Sequence, residues 1–245
     1  MPRHRPETRI EDLIEAATGV FLEKGYRRAQ IADIAAAMSV APGTVYLYVE
    51  SKEALFDAVI QASTSPKIVG TLSIPMKTPA PGSTLSFIRN TLSKDARIAS
   101  LEAALAGPIP SNATTELREI ARELYSKAAQ SWLSLKLMER SALDWPELAA
   151  LWFGKYRLRI LQQLGKYLET RMNCGALRGA PDAPAAARLV LEMIAAFAVH
   201  CRQHDPSPTR IEPAIAEVTV LDAIAHAYSP STKTRASKTS KGTDR

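Results

Sequence analysis

The chain has 245 residues, 46% of them hydrophobic and 6% aromatic, with two cysteines and a formal net charge of +6. This is enough apolar material for one or two packed domains, and the cysteine count excludes a disulfide-stapled miniature. Cys174 and Cys201 form no CxxC pair, no apolar run approaches ~18 residues, and the start, "MPRHRPETRI", lacks the apolar middle of a secretion signal, so a cytoplasmic protein without a membrane span is expected.

Abundant alanine and leucine with few β-branched runs predict an all-α fold. Thr8-Arg9-Ile10-Glu11 reads as a capping box. Ile10, Leu13, Ile14, Ala17 and Phe21 follow at 3/4 spacing, giving an amphipathic helix that ends near Lys24 and is stopped by Gly25. A short helix over 31–38 turns Ile31, Ile34, Ala35 and Met38 inward. Ser39-Val40-Ala41 makes a turn, and Pro42 opens a third helix that runs to about Val49. Ser51 caps a fourth, with Leu55, Phe56 and Val59 inward and Glu53 near its positive end.

Residues 64–83 contain Pro66, Pro75, Pro79, Pro81, Gly70 and Gly82 and read as a long connector. Longer helical patterns follow. One lies over 83–106. Another starts after Asn112 and holds Leu117, Ile120, Leu124, Ala128, Trp132 and Leu135. A third opens with the capping box Asp144-Trp145-Pro146-Glu147 and runs to Met172 before Gly175. Asp182 and Pro184 open a fourth, and the last covers 211–228. "LVLEMIAAFAVHC" is apolar on nearly every side and needs burial on more than one face. The tail "SPSTKTRASKTSKGTDR" has no apolar anchor and reads as disordered. The chain therefore divides into 1–62, 63–228 and a basic tail, 229–245.

Two short helices joined by a tight turn, with small Ala35 at their approach, make a helix-turn-helix, whose second helix enters the DNA major groove. Tyr46 and Tyr48, two residues apart, diverge by about 200° and cannot both face one core. One is left for DNA, where a tyrosine hydroxyl reaches phosphate. Lys52 sits at a helix start, a natural phosphate seat. Gly43 lets the backbone approach the groove. Arg27 and Arg28 lie beside the second helix, and Arg3, His4 and Arg5 are placed for a minor-groove arm. Residues 1–62 carry a net −2, so any DNA contact rests on local placement and not on bulk charge.

The stretch "IADIAAAMSVAPGTVYLYVESKEALFDAVI", together with Phe21, Lys24, Gly25 and Tyr26, resembles the TetR family of bacterial one-component repressors over residues 8–60. The matching pattern is Ile-x-Asp-Ile-Ala, a valine in the turn, Gly-Thr-x-Tyr-x-Tyr, then Ser-Lys-Glu-x-Leu. The resemblance implies a three-helix DNA-binding domain followed by a helical domain that binds an effector and dimerises. It implies DNA contacts at Thr44, Tyr46, Tyr48 and Lys52 on phosphates and at Pro42, Gly43 and Leu47 near base edges; Arg28 is expected as a further contact from its place beside the second helix. The chain departs from the pattern at Ala29-Gln30, where a capping hydroxyl worth ~1 kcal/mol is usual, at Ser39 for glycine, at Ala41 for serine and at Val49 for phenylalanine.

In the larger domain, Trp132, Trp152, Phe153, Tyr156 and Phe197 are expected around a pocket for a small apolar or amphipathic effector, with Arg157, Arg159 or His200 as orienting groups. Leu191, Ile194, Ala198, Val218 and Leu221 are expected in a homodimer interface. His200 and His204 lie four apart, but Cys201 points ~100° away and no third ligand follows, so no metal and no cofactor is expected. There is no GxSxG, P-loop, GxGxxG or HExxH, which speaks against an enzyme. The reading is a ligand-responsive repressor on a near-palindromic operator. The alternative is a helical dimeric ligand- or protein-binding module with weakened DNA binding.

Overall fold

The computed structural model describes residues 6–201 and 211–230. The arm at Arg3, His4 and Arg5, His204 and nearly all of the tail lie outside the described residues. Within them the elements are helices and turns with no strand, as the composition predicts.

Helix α1 (Pro6–Lys24) starts two residues before Thr8, buries Leu13, Ala17 and Phe21, and stops at Gly25 with φ 77°. Helices α2 (Ile31–Ala37), α3 (Pro42–Val45) and α4 (Lys52–Thr64) complete the first group. The expected third helix is shorter than its pattern, because beyond Val45 the chain continues as turns to Tyr48. At the α2 start the Gln30 N–H donates to the Asp33 carboxylate (3.0 Å), and Lys24 pairs with Asp33 at 2.8 Å. The hydrogen bond from Lys24, then that from Gln30, holds the Asp33 carboxyl below the ordinary range. An acidic cap thus stands in for the missing hydroxyl. Ser39 takes the left-handed φ of 57° expected from its position, at a cost of ~1 kcal/mol for a residue other than glycine. Ser51 accepts the Ala54 N–H at 3.1 Å.

The proline-rich connector is not a loose span. After a 3-10 turn, Pro66–Thr71, it returns to the first group. Met76 N–H donates to the Tyr48 carbonyl (2.7 Å), and Glu50 N–H donates to the Met76 carbonyl (3.0 Å), pairing Met76 with Val49. The Thr78 N–H donates to the Glu50 carboxylate (3.0 Å) and the Thr78 hydroxyl to that of Ser51 (2.9 Å). Met76 and Val49 are both buried, so the strap adds apolar volume beside the small residue that stands where phenylalanine is usual.

The second group comprises α5 (Ser83–Asp95), α6 (Ala99–Ala106), α7 (Ala113–Gln130), α8 (Trp132–Ala142), α9 (Pro146–Leu151), α10 (Leu158–Asn173), α11 (Ala183–Ala195) and α12 (Pro213–Tyr228). Three patterns expected as continuous are interrupted. The first breaks before Ala99 because Glu123 of α7 accepts the N–H groups of Ala99 and Ser100 (2.9 and 2.8 Å), capping α6 from another helix. The second breaks at Ser131. In the third, Trp145 and not Asp144 precedes α9, and a π-helical turn, Trp152–Arg157, separates α9 from α10. A second π turn, Ala196–His200, extends α11. Asn112 and Asp182 cap as expected, accepting N–H groups at 3.0 and 2.6 Å. By length and composition Ala183–His200 is apolar enough to span a membrane, which corrects the run-length reading. In the fold this segment packs against α10 and α7 and buries Ala187, Val190 and Ile194. Arg171, 3% exposed, is held by both Glu116 carboxylate oxygens (2.9 and 3.1 Å) and the Ala104 carbonyl (2.7 Å), tying α10 to α7 and α6.

The two groups meet along α8, which packs on α1 and α4, and are tied at a corner at its end. The Glu23 carbonyl at the end of α1 accepts from Arg140 Nε (3.0 Å) and Nη2. A Cβ at Gly25 would lie 3.2 Å from Asp144 Oδ2 and 3.3 Å from the Arg140 carbonyl, so glycine here permits both the turn and the close approach. The Tyr26 ring lies 4.9 Å from Trp145 and 4.6 Å from Phe56, and its hydroxyl donates to Glu53 at 3.1 Å. Burial, then the Glu53 charge and hydrogen bond, pushes the Tyr26 hydroxyl up to about 12. A folded-state value above that of the free phenol, about 10, contributes stability in full below pH ~10 and loses it as pH rises toward 12. Tyr26→Phe is therefore expected to flatten the alkaline fall in stability over that window, measured as urea midpoints at several pH values. Parallel pH profiles for the two proteins would remove Tyr26 as a source of the fall.

Candidate nucleic-acid interface and interior cavity

The turn and helix over 39–47 stand on a closed floor. Ile34, Ala35, Val45 and Val49 are fully or almost fully buried. Above them Pro42 and Gly43 are exposed, Tyr46 is 53% exposed and Leu47 69% exposed. Thr44 and Tyr48 are half-buried and line a cleft with Arg9, Asp12, Met38 and Val40. The two tyrosines part in the turns after α3: Tyr46 faces water, while Tyr48 leans on the core.

Two expected phosphate contacts are already engaged. The Lys52 ammonium donates to the Arg27 and Ala29 carbonyls, each at 3.1 Å, and lies 4.9 Å from the Tyr26 ring centre. Its first role is to hold the loop before α2. Arg28 Nε is 3.6 Å from Asp144, and Arg27 is 4.0 Å from Glu147, so both guanidinium groups lean toward the second group of helices. The sequence carried no signal for these partners, which lie more than a hundred residues away.

A cavity of about 70 Å³ lies in the second group, between α7, α8, α10 and α11. Its apolar wall includes Leu124, Leu135, Ile160, Leu191, Ile194 and Val199. Trp152 and Tyr156 stack in it, with centroids 5.2 Å apart and planes at 21°. Both π turns contribute to this wall: Trp152, Tyr156 and Arg157 from one, Val199 and His200 from the other. A π turn inserts an extra residue and redirects side chains, a feature frequent at functional sites. The Arg157 guanidinium pairs with Glu139 (3.4 Å) and with Glu192, which also accepts from Arg188. Burial works to raise the Glu192 carboxyl, but hydrogen bonds from the two arginines outweigh it and hold the group below the ordinary range. His200 Nε2 lies 3.5 Å from Glu139. Two buried donors on the wall, Trp152 Nε1 and Arg157 Nε, have no acceptor. A buried unmade hydrogen bond of this kind costs ~1–3 kcal/mol.

The cavity corrects several expectations. Trp132 lines a separate cleft between α1, α4 and the connector. Phe153, 39% exposed, and half-buried Phe197 are not on the cavity wall. Arg159 pairs with Glu102 at 3.9 Å on the surface. Among the expected interface residues, Ile194, Ala198 and Leu221 are 1%, 0% and 2% exposed inside the protomer, and half-buried Leu191 lines the cavity. A side chain already packed within one chain has no surface left for a second. Val218 is 61% exposed, as are its neighbours Ile215 at 57% and Leu189 of α11 at 54%. Helical periodicity does not single out an outer face here, because "LVLEMIAAFAVHC" is apolar all round. The described residues contain no group of three or more metal-ligating side chains.

Residues 13–59 match the family described as bacterial regulatory proteins, tetR family. Over 51 residues, 21% of the chain, it is 45% identical to the HTH-type transcriptional repressor DhaR of Mycobacterium sp. (strain GP1), and that match spans about a quarter (26%) of the relative's length. The structure is similar to that of the ketosteroid transcriptional regulator KstR2 of Mycobacterium tuberculosis, with a TM-score of 0.50 and 14% identity over 90% of this chain and 95% of that one. A tetR-family regulatory protein from Rhodococcus RHA1 aligns with a TM-score of 0.48 and 17% identity over 93% of this chain and 99% of that one. The KstR2 likeness extends the shared fold through the helices that follow the DNA-binding unit. Over residues 13–59, its helix-turn-helix unit, the chain matches the tetR family of bacterial regulatory proteins.

Proposed function

We propose that the protein is a ligand-responsive transcriptional regulator that represses by binding a near-palindromic operator as a homodimer in the bacterial cytoplasm. The exposed segment from Pro42 to Leu47 carries this reading: it presents Tyr46 and Leu47 to water above a buried floor, inside the part of the chain that matches the family. The Mycobacterium relative, 45% identical over 51 residues, is named a transcriptional repressor, which supports repression. Thr44, Tyr46 and Tyr48 suit phosphate contact, while Pro42, Gly43 and Leu47 offer apolar contact and close backbone approach. Such a surface reads thymine methyls and DNA shape more than guanine edges. Lys52 serves by fixing the loop that bears Arg27 and Arg28. Arg28 exchanges its Asp144 partner for phosphate when DNA arrives.

Selection of bound sites from random DNA, followed by affinity measurements over a range of salt, tests this reading. A two-half-site motif and a steep salt slope are expected. Binding without sequence preference or salt dependence would sink the proposal. A sharper test uses Gly43, where an added Cβ meets nothing within 4 Å. Gly43→Ala should leave stability unchanged or raised by several tenths of a kcal/mol, yet weaken operator binding by about tenfold through crowding at the groove. Unaltered affinity would place the backbone away from the DNA.

The dimer surface we assign is the outer face of α11 and α12 around Leu189, Ile215 and Val218. Val218→Asp should give a helical monomer by sedimentation at micromolar concentration. The exposed site spares the protomer core, so a persistent dimer would move the interface elsewhere.

Helix α8 supplies the link between ligand and DNA. Leu135 and Glu139 face the cavity, and Arg140, one residue on, holds the end of α1. A ligand that reseats Glu139 turns α8 and carries the DNA-binding helices with it, changing the separation of the two recognition helices in a dimer. The ligand must bind the released state more tightly, since equal affinities shift nothing. In Arg140→Met, a compound that releases operator from the wild type should bind with unchanged affinity but release DNA only at about fivefold or higher concentration. Equal potency in both proteins would exclude this route.

A further inference from the structure

The chemistry of the cavity wall narrows the class of ligand, an inference that rests on the reading of this cavity as the effector site. Each cation on the wall already has a partner. Arg157 lies between Glu139 and Glu192, and Lys127 donates to the Arg97 carbonyl at 2.7 Å and lies 3.9 Å from Glu123. A carboxylate or phosphate placed beside them meets no unmatched positive charge, and it would sit next to two carboxylates while losing its water. The unmatched groups are of another kind. Trp152 is 5% exposed and the Arg157 side chain 12% exposed, and the buried unpaired atoms they contribute, Nε1 and Nε, are both donors. Neither an indole nor a guanidinium nitrogen can accept a hydrogen bond, so only an acceptor on the ligand satisfies them. The two donors come from opposite ends of one π turn and stand among aliphatic side chains and the stacked Tyr156 ring.

We propose that the cavity takes a neutral, compact apolar ligand whose carbonyl oxygen or oxygens accept hydrogen bonds from Trp152 Nε1 and Arg157 Nε, and that it rejects free carboxylates and phosphates. Ketones, esters, lactones and amides belong to this class. An alcohol suits it less well, because its own proton would need an acceptor and the unpaired wall atoms are donors. The cavity, about 70 Å³, is smaller than the ~150 Å³ that admits benzene, so a five-membered ring enters as half-buried Leu191 and Tyr156 turn aside.

Three probes of one shape separate the possibilities: cyclopentanone, cyclopentane and cyclopentanecarboxylate, each titrated into the full chain labelled with nitrogen-15. The protein has three tryptophans, so the Trp152 indole N–H resonance is assigned by its loss in Trp152→Phe. Cyclopentanone should bind about tenfold more tightly than cyclopentane and move the Trp152 indole resonance downfield, while the carboxylate leaves the spectrum unchanged. In Trp152→Phe the advantage of the ketone over the hydrocarbon should fall to about threefold or less. Arg157→Lys, which keeps the charge and loses Nε, should reduce it similarly. Tighter binding of the carboxylate, equal binding of ketone and hydrocarbon, or an unmoved Trp152 resonance with bound ketone overturns the inference. Leu191→Trp, which fills the cavity, distinguishes its failure from that of the underlying reading. If the wrong probe binds and Leu191→Trp blocks it, the class is wrong and the cavity stands. If no probe binds and Leu191→Trp leaves effector-driven release of operator intact, both are wrong.

Discussion

The last carbonyls of a helix have no partner within it, and one of them, on Glu23, joins the two halves of this molecule. Arg140 supplies two N–H groups to that oxygen. The bond is charge-assisted and ends a helix whose macrodipole is negative at the same point, so both effects favour a guanidinium there. Because the oxygen belongs to the backbone, the contact fixes the position of α1 itself and not merely of a side chain. Asp144 and Trp145 follow on the same corner, the first beside Gly25 and Arg28, the second against Tyr26. The orientation of the helix-turn-helix relative to the larger group therefore draws on residues at the end of α8 and just beyond it, alongside the packing of α8 on α1 and α4.

That arrangement places one rigid element between two chemically different surroundings. On α8, Leu135 and Glu139 lie one turn apart and border the cavity, whereas Arg140 is rotated by ~100° toward α1. A helix transmits displacement along its length with little loss, since its own hydrogen bonds resist bending. The Glu139 carboxylate is also the one on this helix shared between Arg157 and His200. The polar end of the cavity and the anchor of the DNA-binding group are adjacent residues.

Much of the first group was legible because its signals are local. The 3/4 spacing of Leu13, Ala17 and Phe21, the stop at Gly25, the cap at Ser51 and the strained turn at Ser39 each depend on residues within a few positions. The second group was legible in helix content and not in boundaries. Glu123 caps α6 from across the bundle, and neither π turn leaves a mark in hydrophobic spacing, because one inserted residue shifts the phase without ending the pattern. Of the aromatic residues expected around a pocket, Trp152 and Tyr156 line the cavity and Trp132, Phe153 and Phe197 do not, because a bulky ring signals burial or surface equally well without knowledge of its face. The partners of Lys52 and Arg28 were invisible for a related reason. A cation near a helix start reads as a phosphate ligand until the opposing carbonyls and carboxylates are in place.

The connector bears on how separable the DNA-binding unit is. Regulators of this kind invite recombination, in which one protein's helix-turn-helix is joined to another's ligand-binding body. In this chain a graft cut at residue 62 would leave Val49 without the paired and buried Met76, and Glu50 and Ser51 without the Thr78 groups that bind them. A cut after Thr84, whose hydroxyl donates to Asp57 of α4 at 2.7 Å, carries the plug along with the socket. The heritable module is thus longer than the motif that identifies it, and its far boundary is set by a methionine from a stretch with none of the sequence features of a domain.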